Sequence, residues 1–422
     1  MKIAIFGLGY VGFTAACCIA SDGHEVVGVD VDEGKLTDLR AGRPLFAEPG
    51  LPALMNDAIS SGRLSATGDT GEAIAGADIA IVCVGTPSGP EGAHDMRYIE
   101  AVTREIAAAL ATVQDGKRLT VAYRSTMRPG SMRYLIAPIF ADALGDGWEE
   151  RVELVYNPEF LREAQAIKDY FEPPKIVVGT VDCQPSKAMD TLNAGIEAPT
   201  FHTGYEEAEL TKFVDNSWHA VKVAFGNEIG RLCQRLGISA SRVHEIFVSD
   251  TKLNISPNYT RPGSAFGGSC LPKDVRALQF IAEDMGANFH LVDSLLRSNE
   301  AHKNHQFAQI DAQLPDGATV LMAGLAFKAG TDDLRESPYV DFARKLLNAG
   351  YSLKIFDPAL DPGKLRGQNL RYAHANLPTI DAMLVSREEA EAGDWDLVVI
   401  ATSVANELDL SGRKTVTIHT IA

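Results

Sequence analysis

The chain lacks the features of a membrane, secreted or polyanion-binding protein. No apolar run approaches the roughly 18 residues that cross a bilayer, so no membrane partner is expected. The opening MKIAIFGLGYVG is broken by glycines within its first ten residues and has no cleavage site after it, unlike a secretory leader. Six cysteines (Cys17, Cys18, Cys83, Cys183, Cys233 and Cys270) are scattered with no CxxC pair. That argues against a disulfide framework and a metal site, and for a reduced, cytoplasmic protein. Basic residues are in deficit, 39 against 56 acidic, for a net charge of −17. Such a chain is not a general nucleic-acid or anionic-membrane binder, although a local cluster of cations can still hold an anionic substrate. Short repeats and low-complexity tracts are absent.

What is present is an ordinary globular composition, 45 % apolar and 23 % charged over 422 residues, enough for two or three domains. Strand-like runs at Lys2–Gly7, Glu25–Asp30, Ala77–Val84, Leu119–Arg124 and Val152–Tyr156 alternate with helical patterns, the first of them Gly12–Ser21. Alternation of this kind predicts a parallel sheet covered by helices on both faces. Near residue 201 the character changes: Glu206–Gly237 reads as one long helix ended by Gly237, and helical pattern continues to about residue 305. Alternation returns with Thr319–Leu325, Ser352–Asp357 and Asp396–Thr402, and Thr415–Ala422 reads as a final strand. The expected fold class is therefore α/β, with two Rossmann-like doubly wound domains (1–200 and 306–422) joined by a central helical segment (201–305).

Gly7-Leu-Gly9-Tyr-Val-Gly12 follows the first strand and opens a helix. Gly7 permits the tight turn, Gly9 lets the backbone approach a pyrophosphate, and Gly12 allows close helix–strand packing. The helix start adds N–H donors and positive dipole. Asp30, 18 residues after Gly12, ends the second strand. An acid there accepts hydrogen bonds from ribose hydroxyls and repels a 2′-phosphate, favouring NAD over NADP. Lys35 is a candidate for the ribose edge.

On the long helix, with Lys212 at the origin, Asn216, His219 and Asn227 fall within about 60° of it. Leu210, Val214, Val221, Phe225 and Leu232 cluster on the opposite side and read as the core face. A solvated stripe is one reading of the polar face. Asn and His are weak helix formers, however, and choosing them here suits specific hydrogen bonding. Lys212 would supply an ammonium for an oxyanion.

In Arg261-Pro-Gly-Ser-Ala-Phe-Gly-Gly-Ser-Cys270-Leu-Pro-Lys-Asp274, the Gly267-Gly268 pair reads as open, flexible backbone. Pro272 suits a first helical turn, which puts Cys270 at a helix N-terminus. The helix dipole and Lys273 would favour the thiolate, and Asp274 would orient or deprotonate a water. A buried, inert thiol is the alternative. The other five cysteines lie in apolar contexts and read as core. A hydride-accepting cofactor combined with a nucleophilic thiol permits an alcohol to be oxidised twice, through a thiohemiacetal and a thioester, provided that Cys270 reaches the nicotinamide.

Taken in order, Gly7–Gly12, Gly85-Thr86-Pro87, Arg124-Ser125-Thr126, Asn157-Pro-Glu-Phe-Leu-Arg-Glu163, Gly267–Asp274 and Phe327-Lys-Ala-Gly-Thr-Asp-Asp-Leu-Arg-Glu-Ser337 resemble the UDP-glucose/GDP-mannose dehydrogenase family from residue 1 to about 405. Asn216-Ser-Trp218-His219-Ala, Lys252-Leu-Asn-Ile-Ser and Tyr259-Thr-Arg261-Pro-Gly look like its GDP-mannose branch. The resemblance implies an NAD-dependent, four-electron oxidation of a nucleotide-sugar C6 alcohol to a carboxylate, GDP-mannose to GDP-mannuronate, of the kind that feeds alginate-type polysaccharide biosynthesis. UDP-glucose or a UDP-N-acetylhexosamine is the alternative substrate, and a single-step 3-hydroxyacid-type dehydrogenase the alternative reaction. It also implies a central dimerisation segment, hence a homodimer or higher homo-oligomer.

Residue by residue, it makes Cys270 the nucleophile and Lys212, with Asn216, the oxyanion stabiliser. Asp274 would manage the hydrolytic water, Glu163 would hold substrate or transfer a proton, and Thr126 would sit near nicotinamide and water. Tyr10, Val11, Asp30, Lys35, Thr86 and Lys273 would serve NAD. His219, Asn227, Tyr259 and Arg261 would bind the sugar nucleotide, joined by Lys328 and Arg335 from the C-terminal domain. Two departures from the family pattern are Asn258, where a second aromatic is expected, and the short C-terminus.

Overall fold

A computed structural model of the chain describes all residues except 47, 88–93, 114–115, 163, 257–262, 269–270, 362–366 and 421–422, and the side chains at 223, 367, 368 and 419. The contacts divide the chain into two compact units, Met1–His219 and Ala220–Ala422.

The first unit is built on eight strands: β1 (Lys2–Phe6), β2 (Glu25–Val29), β3 (Leu64–Thr67), β4 (Ile79–Val82), β5 (Leu119–Tyr123), β6 (Val152–Tyr156), β7 (Ile176–Thr180) and β8 (Thr200–Gly204). Their spatial order is β3-β2-β1-β4-β5-β6-β7-β8. All neighbours are parallel except β6 and β7. Alternate residues of the central strands enter separate cores. Ile3 and Ile5 join Phe13, Leu36 and Met55 on one face, whereas Ala4 and Phe6 join Ile99, Ile106 and Phe140 on the other. Each of the larger buried side chains, Leu, Ile, Met or Phe, contributes about 1.5–3 kcal/mol, and burial on both faces explains the continuous apolar runs of these strands. The chain steps outward from β1 to β3 and then crosses to β4, so the strand order reverses between β1 and β4. In open parallel sheets, a crevice at the carboxyl ends of strands flanking such a reversal is where ligands bind.

In the second unit, β9 (Thr319–Ala323), β10 (Ser352–Phe356), β11 (Leu397–Ile400) and β12 (Thr415–Thr417) form a parallel sheet ordered β10-β9-β11-β12. Helices Leu271–Asp284 and His290–Asp311 precede it, packing with the end of the long helix around Leu232, Ala282, Phe289 and Val292. Fold class is thus as expected, α/β with two sheets of Rossmann type.

Four local expectations are corrected. The long helix, Tyr205–Leu236, does not bury its apolar face throughout: Leu232 is core, but Leu210, Val214 and Val221 are 49 %, 54 % and 38 % exposed. Periodicity identifies an apolar face, not what covers it. Cys183 is exposed, in a turn after β7 with φ +60°, while Cys17, Cys18, Cys83 and Cys233 are buried. Gly267 and Gly268 are tightly packed rather than open. A Cβ on Gly267 would lie 2.4 Å from the Glu336 carbonyl oxygen, and one on Gly268 would lie 2.9 Å from the Phe327 ring. The final strand is only Thr415–Thr417, followed by a 3-10 turn at Ile418–Thr420.

Candidate active site

The loops after β1, β2, β4, β5 and β6 gather the motifs of the first unit at one end of its sheet. Gly7, at φ +92°, donates its N–H to the Val29 carbonyl at 2.8 Å. A Cβ on Gly12 would lie 2.0 Å from the Gly7 oxygen, so only glycine lets the helix Tyr10–Ser21 start so close to the strand. A Cβ on Gly9 would meet nothing within 4 Å, and no side chain caps this helix start. Open space before an uncapped helix N-terminus fits a dinucleotide pyrophosphate.

Asp30 lies beside it. Its carboxylate accepts from the N–H groups of Leu8 (2.8 Å) and Asp32 (3.0 Å) and pairs with the Lys35 ammonium at 2.8 Å. Burial alone would raise this carboxyl's pKa, but Lys35 and the two N–H groups outweigh burial and hold it below the usual aspartate range. Val31, the next residue, is 94 % exposed and offers an apolar surface at the same edge. The Tyr10 hydroxyl donates to Glu48 at 2.6 Å, and Glu48 also accepts from Ala164 and Ala166 N–H at 2.9 Å each, so it holds the backbone that follows position 163. Burial pushes the Glu48 carboxyl up, and these three donors more than reverse that.

At the loops after β4, β5 and β6, the Thr86 hydroxyl donates to the Thr126 carbonyl at 2.9 Å, and Ser125 donates to the Val84 carbonyl at 2.6 Å. The Arg124 Nε donates to Asn157 Oδ1 at 3.0 Å, and Asn157 donates onward to the Val177 carbonyl at 2.8 Å. This pins the turn leading to Glu159. The Lys212 ammonium donates to the Glu159 carbonyl at 2.7 Å and lies 2.9 Å from its carboxylate, with both side chains largely buried. Phe160 carries two ammoniums over its ring, Lys175 at 4.6 Å and Lys212 at 5.6 Å from the centroid. One turn before Lys212, the fully buried Glu209 accepts from Gly130 N–H at 2.6 Å and Met132 N–H at 2.8 Å. Burial outweighs those bonds and pushes its carboxyl up. Glu209 thereby ties the lysine-bearing helix to the segment that follows Thr126. Asn216, His219 and Asn227 are exposed farther along this helix.

The second unit echoes the first. Gly324, at φ +100°, donates to the Phe356 carbonyl at 2.9 Å. Leu325 and Ala326 donate to Asp357 at 2.9 and 3.1 Å, as Leu8 does to Asp30. Ala326 stands where Gly9 stands, however, and the chain runs through residues 327–337 before the helix Pro338–Asn348 begins. A dinucleotide cradle is thus not repeated. That loop carries Lys328, which is exposed, and Arg335, whose guanidinium is held by Asp333 at 2.9 and 2.8 Å. Helix Leu271–Asp284 starts one residue after position 270, and Lys273 and Asp274 are ion-paired at 2.5 Å rather than separate.

Cys270, Glu163, Tyr259, Arg261 and the divergent Asn258 lie outside the described residues. The structure brings Gly7, Gly9, Tyr10, Val11, Gly12, Asp30, Lys35, Thr86, Thr126 and Lys212 to the sheet end of the first unit. Glu48 and Glu209 were not singled out from sequence, and Arg124 and Glu159 stood in quoted motifs without a role of their own. Glu159 had a signal in the Asn-Pro-Glu turn, but its partner Lys212 is 53 residues away and only the fold joins them. Among the described residues, no group of three or more His, Cys, Asp or Glu could hold a metal, and no helix is long and apolar enough to cross a membrane.

Three family models cover the chain: the NAD binding domain of the UDP-glucose/GDP-mannose dehydrogenase family over residues 1–196, its central domain over 206–301 and its UDP binding domain over 321–417. The chain belongs to this family, and its cofactor is NAD. Within the family it is similar to the GDP-mannose 6-dehydrogenase of Pseudomonas putida, at 42 % identity over 95 % of the chain and 90 % of that protein. A UDP-glucose 6-dehydrogenase of Bacillus subtilis is 32 % identical over 98 % of the chain and 89 % of that protein. The solved GDP-mannose dehydrogenase of Pseudomonas aeruginosa superposes with a TM-score of 0.91 at 40 % identity, covering 99 % of this chain and 96 % of that one.

Proposed function

We propose that the chain oxidises the C6 alcohol of GDP-mannose to the carboxylate of GDP-mannuronate in two steps. The observation that carries the chemistry is the Lys212 ammonium locked onto the Glu159 carbonyl and carboxylate at the same sheet end as the dinucleotide cradle. For the sugar nucleotide, support comes from identity of 42 % to a GDP-mannose enzyme against 32 % to a UDP-glucose enzyme.

Gly7, Gly9 and Gly12, with Tyr10 and Val11, would receive the NAD pyrophosphate. Asp30 and Lys35 would take a ribose, and Thr86 and Thr126, with Lys273, the remainder. When bound, NAD supplies the hydride acceptor for both oxidations. Lys212, with Asn216, stabilises the oxygen of the reacting carbon, and Glu159, in contact with that ammonium, accepts the alcohol proton. The Cys270 thiolate adds to the aldehyde carbon, forming a C–S bond while the carbonyl pair moves to oxygen and is protonated. Loss of the second hydride and of the hydroxyl proton leaves a thioester. Water, oriented by Asp274 with Thr126, attacks it, and the C–S bond breaks to return the thiolate. Overall, one alcohol, two NAD and one water give one carboxylate, two NADH and three protons. Glu163, His219, Asn227, Tyr259, Arg261, Lys328 and Arg335 are proposed to hold the sugar nucleotide. We assign 1–200, 201–305 and 306–422 as cofactor, central and nucleotide-sugar domains.

The exposed apolar face of the long helix supports a homodimer closed by a second copy. The setting we infer is cytoplasmic, supplying uronate to an alginate-type polymer. One observation favours UDP-glucose, namely that the family's C-terminal model is described as UDP binding. Steady-state kinetics on both sugar nucleotides decides between them. The proposal requires kcat/KM for GDP-mannose to exceed that for UDP-glucose by at least about tenfold, and the reverse order would reject the GDP-mannose assignment.

A further inference from the structure

A second ammonium stands beside the Lys212–Glu159 pair. Lys175 is the residue before β7, the strand that runs against β6. That reversal puts the start of β7 at the end of β6 that leads into the Asn157–Phe160 turn. β8 runs parallel to β7 and ends at Gly204, and the helix Tyr205–Leu236 then turns back toward the same end. Its first residue, Tyr205, donates its hydroxyl to the Leu154 carbonyl at 3.1 Å. The next seven residues rise about 10 Å, which brings Lys212 level with Glu159. All of these residues belong to the first compact unit.

Lys175 meets Asp215 on that helix. Its ammonium lies 2.9 and 2.6 Å from the two carboxylate oxygens, and both side chains are half-buried. The same ammonium sits over the Phe160 ring, which also carries that of Lys212, and Phe160 directly follows Glu159. The contacts therefore close a circuit. Lys212 holds Glu159, the chain continues to Phe160, the ring meets Lys175, and Asp215 returns to the helix three residues beyond Lys212. Two ammoniums balance two carboxylates. Residues three apart on a helix are neighbours, and opposite charges there pair. Asp215 is thus a local competitor for the Lys212 ammonium. It is turned instead to Lys175, 40 residues away, and Lys212 is left to Glu159.

We propose that Lys175 is a positioning residue for the oxidation: by occupying the Asp215 carboxylate it keeps the Lys212 ammonium on Glu159, where that ammonium can meet the oxygen of the reacting carbon. The inference rests on Lys212 being the oxyanion stabiliser. Without Lys175, Asp215 draws the Lys212 ammonium aside, and removing the Asp215 charge as well releases it again. A bridge that only braces the fold behaves otherwise, since loss of its second partner restores nothing. The test uses the full-length protein with Lys175→Met, Lys175→Arg, Asp215→Asn, Lys212→Met and the pairs Lys175→Met/Asp215→Asn and Lys175→Met/Lys212→Met. Steady-state kinetics gives kcat and KM for GDP-mannose, calorimetry gives NAD affinity, and a thermal melt reports stability.

Lys175→Met is expected to lower kcat by about tenfold, short of the full cost of a misplaced catalytic group, while KM for GDP-mannose and NAD affinity stay within about twofold. Lys175→Arg stays within about threefold of wild type, because a guanidinium can hold the same carboxylate and ring. Asp215→Asn alone also stays within about threefold, as loss of a half-exposed ion pair allows. The deciding comparison is Lys175→Met/Asp215→Asn, which recovers kcat to within about threefold of wild type whatever its melting temperature. In the Lys212→Met background, Lys175→Met costs less than about twofold, since the group it positions is gone. Wild-type kcat in Lys175→Met, a double variant no faster than Lys175→Met, or a tenfold loss that persists without Lys212 would overturn the proposal. Should Lys175→Met fail to fold, Lys175→Gln with and without Asp215→Asn decides the question by the same comparison. Wild-type kcat in Lys212→Met would reject the oxyanion role itself. If that variant falls while Lys175→Met does not, only the positioning role fails.

Discussion

Gly9→Ala and Gly12→Ala add the same methyl group within one turn, and the structure assigns them different consequences for stability. A Cβ on Gly12 would sit 2.0 Å from the Gly7 oxygen and 3.0 Å from Cys83 Cβ, so the helix must withdraw from the strand by about 1 Å. Overpacking of that kind costs about 1–3 kcal/mol. At roughly 2–4 °C per kcal/mol for a domain of this size, melting falls by about 2–12 °C. NAD affinity falls with it, because the withdrawn helix carries its N-terminal donors away. At Gly9 the backbone is at φ −77° and a Cβ meets nothing within 4 Å. Gly9→Ala therefore shifts stability by less than about 1 kcal/mol, yet it places a methyl where the pyrophosphate would approach. The assay is a thermal melt of each variant without ligand, followed by NAD titration monitored by calorimetry. Wild-type NAD affinity in Gly9→Ala, or an unchanged melting temperature in Gly12→Ala, would refute the reading of this turn as a pyrophosphate cradle.

Lys212→Met is expected to lower kcat by about 10²–10³ while leaving NAD affinity within about twofold, which steady-state kinetics and NAD titration together check. Asp30 is held ionised below its usual range, so its contribution to stability is present above the unfolded-state pKa and is lost as pH falls through the folded value. Lys35→Met should accordingly destabilise the protein in urea at pH 7, with the deficit shrinking below about pH 4. A deficit independent of pH would contradict that coupling. Burial pushes the Cys17 and Cys83 thiols up to about 12 and also raises Cys18. Iodoacetamide at pH 8 should therefore label Cys183 in the native protein and leave Cys17, Cys18, Cys83 and Cys233 unmodified until urea is added, as judged by peptide mass spectrometry.

Much of the fold was legible because buried parallel strands are nearly continuous apolar runs: KIAIF, LTVAY and TVLMA name themselves. Strands β3, β7 and β8 were not anticipated. β3 (LSAT) is short and mixed, and β8 (TFHTG) is mostly exposed, so neither carries the apolar signal. The glycine turn and Asp30 were readable because each has a local chemical reason to be where it is. Glu159, Glu209 and Asn299 were not, since their partners lie 53, 79 and 33 residues away. The opposite error occurred at Gly267 and Gly268. A glycine pair looks the same in sequence whether it gives freedom or admits a close neighbour, and here the neighbours are Glu336, Pro338 and Phe327. The likeness of Gly324, Leu325 and Asp357 to Gly7, Leu8 and Asp30 is visible only once both β-strand pairs are superposed in register.

The count of NADH formed per GDP-mannose consumed tests the central claim most directly. Purified protein, limiting GDP-mannose and excess NAD should give two NADH for each sugar nucleotide, with a carboxylate as the sole sugar product. One NADH per sugar, with the aldehyde released, would contradict the thioester route through Cys270.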